Sequence, residues 1–177
     1  MTDLPQHSVS VAGVVVRADG RVLAVQRRDN GRWEPPGGVL ELDETPEAGV
    51  RREVWEETGV DVEVERLTGV YKNMAKPIVA LVFRCRPLDT TGAPEPVTST
   101  DEAQRIAWLT PDEIIRIMAP AFAIRVADAF TDFPAVREHD GHNLIRTGRG
   151  NEPKQRRLRS EPAQAVVRSS PTRPPGG

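Results

Sequence analysis

Apolar and polar positions alternate along this chain in two distinct ways. Val60, Val62 and Val64 are interleaved with Asp61, Glu63 and Glu65, a period of two that predicts a strand with one buried and one wet face. Residues 78–83, Ile-Val-Ala-Leu-Val-Phe, form an unbroken apolar run, which predicts a strand covered on both faces. Upstream, residues 8–17 and 21–26 are β-rich and flank Asp19-Gly20, the dipeptide of a tight hairpin. Residues 105–109 read as one more short strand, and 86–100, rich in Pro, Thr and Gly, as a loop.

The pattern changes between Thr45 and Gly59. Thr45 is a good N-cap, Pro46 suits the first helical position, and Gly59 can adopt the left-handed conformation that ends a helix. These signals predict a helix from about Pro46 to Thr58. Val50 and Val54 form an i, i+4 apolar pair, while Ala48 and Trp55 fall on another side, so the pattern predicts packing against two surfaces. Thr110-Pro111-Asp112-Glu113 is a capping box that opens a second helix. Pro120 interrupts it, and 121–130 reads as a third helical segment. Residues 134–145 carry no decisive pattern. Strands, a helix, more strands and terminal helices make an α+β layered domain.

Length and charge refine this picture. The 177 residues suffice for one domain with a core, expected over 1–133, followed by a connector at 134–145 and a tail at 146–177. A net charge of −2 implies neither a polyanion nor a membrane partner, but it conceals an asymmetry. Residues 146–177 hold eight Arg or Lys against two Glu, and their Pro, Ser and Gly content predicts disorder. The basic character of that tail suits RNA or an acidic partner, and a solvated tail with no partner is the plainer reading. Cys85 is the only cysteine and lies in an apolar stretch, so it reads as inert packing in a reducing compartment. With no charged-then-apolar leader and no apolar run of 18 residues, the expected location is cytoplasmic.

Chemistry concentrates on the first helix. Glu53, Glu56 and Glu57 stand at i, i+3 and i+4, within an arc of roughly 100° and about 6 Å of axis. Each pair repels by about 3 kcal/mol at an effective dielectric near 20. The acids also occupy the last turn, where the helix dipole disfavours anions. A Glu-rich helix is ordinarily a solvated face with Glu–Arg pairs, and Arg51 and Arg52 are interleaved here. A hard divalent cation relieves both penalties, since Mg²⁺ takes oxygen ligands and keeps waters for phosphates. Upstream, the paired glycines Gly37-Gly38 allow close backbone approach. They place a carbonyl where it can face the same cation.

Gly38, Glu44, Arg52, Glu53, Val54, Glu56, Glu57, Gly59 and Val60 together fill every specified position of a 23-residue box that resembles the Nudix hydrolases, MutT-like proteins among them. A looser resemblance extends over roughly residues 8–130. It implies an α/β/α sandwich with a mixed sheet and a loop–helix–loop box. It further implies Mg²⁺, or Mn²⁺, bound by Glu56 and Glu57, with Glu53 as a further ligand or the group that activates water. A carbonyl of Gly37 or Gly38 completes that shell, and Arg52 and Glu44 orient the ligands. Glu102 resembles an acid that joins the metal site in MutT-type relatives; an exposed Glu102 is the competing reading. The sequence departs from the family at Trp33-Glu34-Pro35-Pro36, where an apolar residue usually precedes Pro-Gly-Gly.

The box does not encode the substrate. Arg27, Arg28 and Arg32 precede the glycine turn and are candidates for phosphate contacts, a solvated hairpin end being the competing reading; Tyr71, Asn73, Trp33 and Phe83 are candidate lining residues, with buried core the default for Trp33 and Phe83. The expected activity is hydrolysis of a phosphoanhydride in a nucleoside diphosphate linked to another group: a nucleoside triphosphate, ADP-ribose or a sugar nucleotide. A nucleotide sensor without turnover, and processing of RNA 5′ ends through the basic tail, are the alternative readings.

Overall fold

The computed structural model describes residues 4–88 and 96–145. The predicted tail, and the middle of the predicted 86–100 loop, lie outside them. Eight strands and three helices follow one another as β1 (Ser8–Val15), β2 (Val22–Arg27), β3 (Trp33–Glu34), β4 (Gly37–Val39), α1 (Pro46–Thr58), β5 (Val62–Asn73), β6 (Ile78–Pro87), β7 (Ala103–Leu109), α2 (Pro111–Ile117), α3 (Pro120–Asp128) and β8 (Ala135–His139). One sheet has the order β4-β1-β6-β5-β8 and the other β3-β2-β7. The larger sheet is mixed: β1 is parallel to β6 and antiparallel to β4, and β5 is antiparallel to β6 and parallel to β8.

Period-two burial separates two cores. Ala12 and Val14 on β1, and Val16 just beyond it, face one way and join Tyr71, Ile114, Met118 and Val126, beneath α2 and α3. Val11 and Val15 face the other way and join Val50, Val54, Phe83 and Cys85, beneath α1. The apolar run on β6 divides likewise, with Ala80 and Val82 in the first core and Phe83 and Cys85 in the second. This is the α/β/α sandwich that the resemblance implies, with β6 covered on both faces as its continuous apolar run predicts. Burial pushes the Cys85 thiol up to about 12, which leaves it unreactive.

Four details differ from the sequence expectation. The Asp19-Gly20 turn forms, with Gly20 at φ 82°, but its two strands part into separate sheets after the single bridge Val16–Val22. The α1 helix buries one of its two predicted apolar sides: Val50 and Val54 are fully covered, whereas Ala48 is exposed and Trp55 is 56% exposed. The second covered stripe belongs instead to Glu53 and Glu57. Residues 135–139 form β8 and complete the larger sheet beside β5, so the undecided stretch belongs to the fold. The third helix begins at Pro120 itself, at N1, and ends at Asp128.

Candidate active site

The local rules that shape α1 also aim its acids. Thr45 caps the helix by accepting from the Ala48 N–H, and Gly59 closes it at φ 70°. Gly13 of β1 permits the close approach of α1: a Cβ there would lie 2.8 Å from Val54 Cγ2. With Val50 and Val54 pressed against the sheet, Glu53 and Glu57 turn toward β4 and its glycines. A Cβ on Gly38 would sit 2.5 Å from Glu53 Oε1, so the glycine leaves the space that this carboxylate occupies. The Gly37 N–H donates to Glu57 Oε2 at 2.8 Å.

Arg52 ties the remaining groups together. Its Nε and Nη2 donate to Glu44 at 3.1 and 2.6 Å, a two-pronged contact. Its Nη1 donates to Glu53 at 2.8 Å and to Glu56 at 3.1 Å. Nη2 also reaches the Val39 carbonyl at 3.1 Å. Glu44 in turn accepts from the Glu41 N–H at 2.9 Å. Gly49, which the sequence reading passed over, makes room for Glu44: a Cβ there would lie 2.7 Å from Glu44 Oε1. A glycine inside a helix costs about 1 kcal/mol relative to alanine, and that penalty was the available signal.

Electrostatics set these carboxylates apart. Burial pushes Glu57 up to about 8, against the pull of the Gly37 N–H, and the charges of Glu34, Glu53 and Glu102 push it further. Glu53 is also raised, by burial first and by Glu56 and Glu102 after it, against Arg52. Glu34, on β3, is raised by burial. Glu102 is exposed, yet its charge is felt at both Glu53 and Glu57.

Among the described residues, no three His, Cys, Asp or Glu side chains form a ready metal cage. Glu53 and Glu56 instead share Arg52, and Glu57 faces Gly37. The donor set nevertheless fits a hard cation. All the groups are oxygen donors, two of the carboxylates are buried, and their mutual repulsion and desolvation are what a bound divalent ion relieves.

Beside these acids lies a cavity of about 640 Å³, lined in part by Gly37, Gly38, Arg27, Arg32, Glu34 and Asn73. That size suits a small-molecule ligand. Arg27 grips Asp29 through two bonds of 2.9 Å and reaches Glu34 at 3.3 Å. Four candidates fall elsewhere. Arg28 donates to the Thr100 carbonyl, away from the lining, and Tyr71 is fully buried with its hydroxyl donating to Asp128 at 2.7 Å. Tyr71 therefore supports the cavity from behind. Phe83 is buried in the α1 core, and Trp33, half-buried, packs against the other core.

The sequence profile of the NUDIX domain matches residues 6–132. A MutT-like protein from Streptomyces ambofaciens is 62% identical over 148 residues, covering 83% of this chain and 93% of that protein. Phosphatase NudJ from Escherichia coli K12 is 31% identical over 107 residues, 58% of this chain and 68% of the relative. Among solved structures, the MutT NUDIX hydrolase from Burkholderia pseudomallei superposes with a TM-score of 0.57 at 28% identity, over 70% of this chain and 98% of its own.

Proposed function

We propose, because this chain belongs to the Nudix hydrolase family, that it cleaves a phosphoanhydride bond in a nucleoside diphosphate linked to a further group. A nucleoside triphosphate, ADP-ribose or a sugar nucleotide fits this class. The observation that supports the reading most is the pair of buried carboxyl groups Glu53 and Glu57, packed against Gly38 and Gly37 beside a cavity of nucleotide size.

In this proposal Glu53, Glu56, Glu57 and the Gly38 carbonyl hold Mg²⁺ or Mn²⁺. When bound, such an ion neutralises phosphate charge and lowers the pKa of coordinated water. The rest is the work of side chains. Arg52, fixed by Glu44, orients Glu53 and Glu56, and the Gly37 N–H orients Glu57. In this reading Glu53, besides its contact with the ion, takes the proton of the attacking water, and Glu102 adds negative charge that acts on Glu53 and Glu57. Arg27 and Arg32, on the cavity lining, contact the phosphates. The catalytic domain extends past residue 133, because β8 is part of its sheet.

The test is release of phosphate products from a panel of nucleoside diphosphate derivatives with Mg²⁺ and Mn²⁺. Replacing Glu56 or Glu57 by Gln is expected to lower kcat by about 10²-fold or more with the fold intact. Full activity in both variants would refute the assignment.

A further inference from the structure

The cavity beside the acids has a second polar group of side chains that the proposed hydrolysis does not use. Arg125 of α3 and His139 of β8 are 8% and 3% exposed, Asn73 of β5 is 8% exposed, and all three line the cavity. The Arg125 guanidinium lies between two rings, its carbon 4.6 Å from the Phe122 centroid and 5.2 Å from the Tyr71 centroid. Both rings pack on the guanidinium, and its N–H groups remain for a polar partner. Nε has none. Glu34 acts on Arg125 through space without a hydrogen bond, and burial pulls the guanidinium pKa down.

The contact between Arg125 and His139 is not a bond that satisfies either. His139 Nδ1 accepts from the Gly141 N–H at 3.0 Å, so the proton of the neutral ring sits on Nε2. That Nε2–H faces Arg125 Nη2, also a donor, at 3.4 Å. Asn73 adds a third donor. Its Oδ1 is occupied by the Ala75 and Lys76 N–H groups at 2.9 and 3.0 Å, which leaves the amide NH₂. Three buried side chains therefore present donors, and no acceptor among them answers.

Elsewhere in the fold, Arg137 grips Asp128 through two bonds of 2.6 Å, and Arg66 and Arg84 donate to the Ala129 carbonyl at the end of α3. Arg66 also leaves a buried nitrogen, Nη1, without a partner, but its Nη2 donates to two carbonyls and it lies away from the cavity lining, so Arg125 is the arginine that brings an unanswered donor to the cavity. A buried donor without a partner is unfavourable, and a folding role alone leaves it unexplained. The missing partner is a ligand group that accepts only.

A phosphate accepts, but buried Glu34 shares this cavity and opposes a second anion near Arg125. A ring carbonyl accepts without that charge, and its flat, apolar ring suits the Phe122 wall. A guanidinium, with five donors and no acceptor, matches the O6 and N7 edge of a 6-oxopurine, whereas adenine places an amino donor there. We propose that Arg125, His139 and Asn73 form a base-recognition subsite that selects an oxo-bearing nucleobase. This rests on the nucleotide reading of the same cavity.

Inosine and adenosine monophosphates test it, since they differ in the oxo and amino groups at one position. Binding of both, with ribose 5-phosphate and inorganic phosphate as controls, is measured calorimetrically on the full chain with chelator present. Inosine monophosphate is expected to bind about tenfold or more tightly than adenosine monophosphate. In Arg125→Met the ratio falls to about one, and Arg125→Lys gives an intermediate value should the methionine variant fail to fold. Equal affinity for the two nucleotides in the unaltered protein overturns the proposal. So does a variant that weakens ribose 5-phosphate and inorganic phosphate as much as inosine monophosphate, which would make this an anion site. Turnover of the two triphosphates with Mg²⁺ separates the readings. A binding preference without hydrolysis removes the reaction and keeps the subsite, and hydrolysis without preference does the reverse.

Discussion

Glu57 carries the strongest signature of function among the box residues, because its carboxyl is pushed from 4.5 to about 8 inside the fold. A group whose folded pKa is raised stabilises the protein below its unfolded value and loses that contribution as pH rises through the folded one. The metal-free protein should therefore melt at progressively lower temperature between pH 5 and pH 8.5. Glu57→Gln should flatten that slope, and Mn²⁺ should restore the melting temperature of the unaltered protein at pH 8.5 but not that of the variant. Thermal melts in chelator and in Mn²⁺ decide it. At Gly49, alanine improves helix propensity by about 1 kcal/mol but crowds Glu44. The expected result of Gly49→Ala is a drop in kcat/KM of about tenfold with little loss of stability, as for a residue that orients ligands. Individual residues were legible where a motif fixed them. Gly38, Glu44, Arg52 and the three acids fall together around α1 as the spacing implies. Arg125 and His139 were not legible, because their meaning lies in unpaired donors brought together from α3 and β8.

At the scale of elements, legibility followed the strength of local signals. The α1 helix runs over the span that its Thr45 cap and Gly59 stop predict, and the α2 capping box closes as read. By contrast β3 and β4 span two and three residues, too short for any period, and β8 alternates too weakly to stand out. The hairpin was half legible: a dipeptide fixes a turn, but which sheet each strand joins is decided by long-range pairing. The contact of α1 with β1 depends on Gly13, where a side chain would strike Val54. Gly13→Val should destabilise the protein by about 1–3 kcal/mol and lower activity together with stability, because it lifts the acid-bearing helix. Chemical denaturation paired with kinetics checks it. Thr45→Ala is the contrasting case. It removes the cap, at about 1 kcal/mol, and should leave kcat almost unchanged at a temperature where the variant stays folded.

At the scale of the molecule, a mixed sheet with a helix on one face and two on the other places the acids of α1 beside a cavity that also takes in β3, β4, β5 and α3. Cover on both faces of β6 was legible from its unbroken apolar run, and the sandwich itself from the resemblance that the box carries. The cavity was not, because no single segment encodes it. No helix of the described residues is long and apolar enough to cross a membrane. The account as a whole depends on the α1 carboxylates binding a divalent ion for work on a diphosphate. Titration of Mn²⁺ into the full chain, followed by electron paramagnetic resonance, tests this directly when Glu57→Gln is measured alongside. The account predicts a saturable site whose affinity falls about tenfold or more in the variant, with hydrolysis lost in parallel. Equal Mn²⁺ affinity in the two proteins would contradict it.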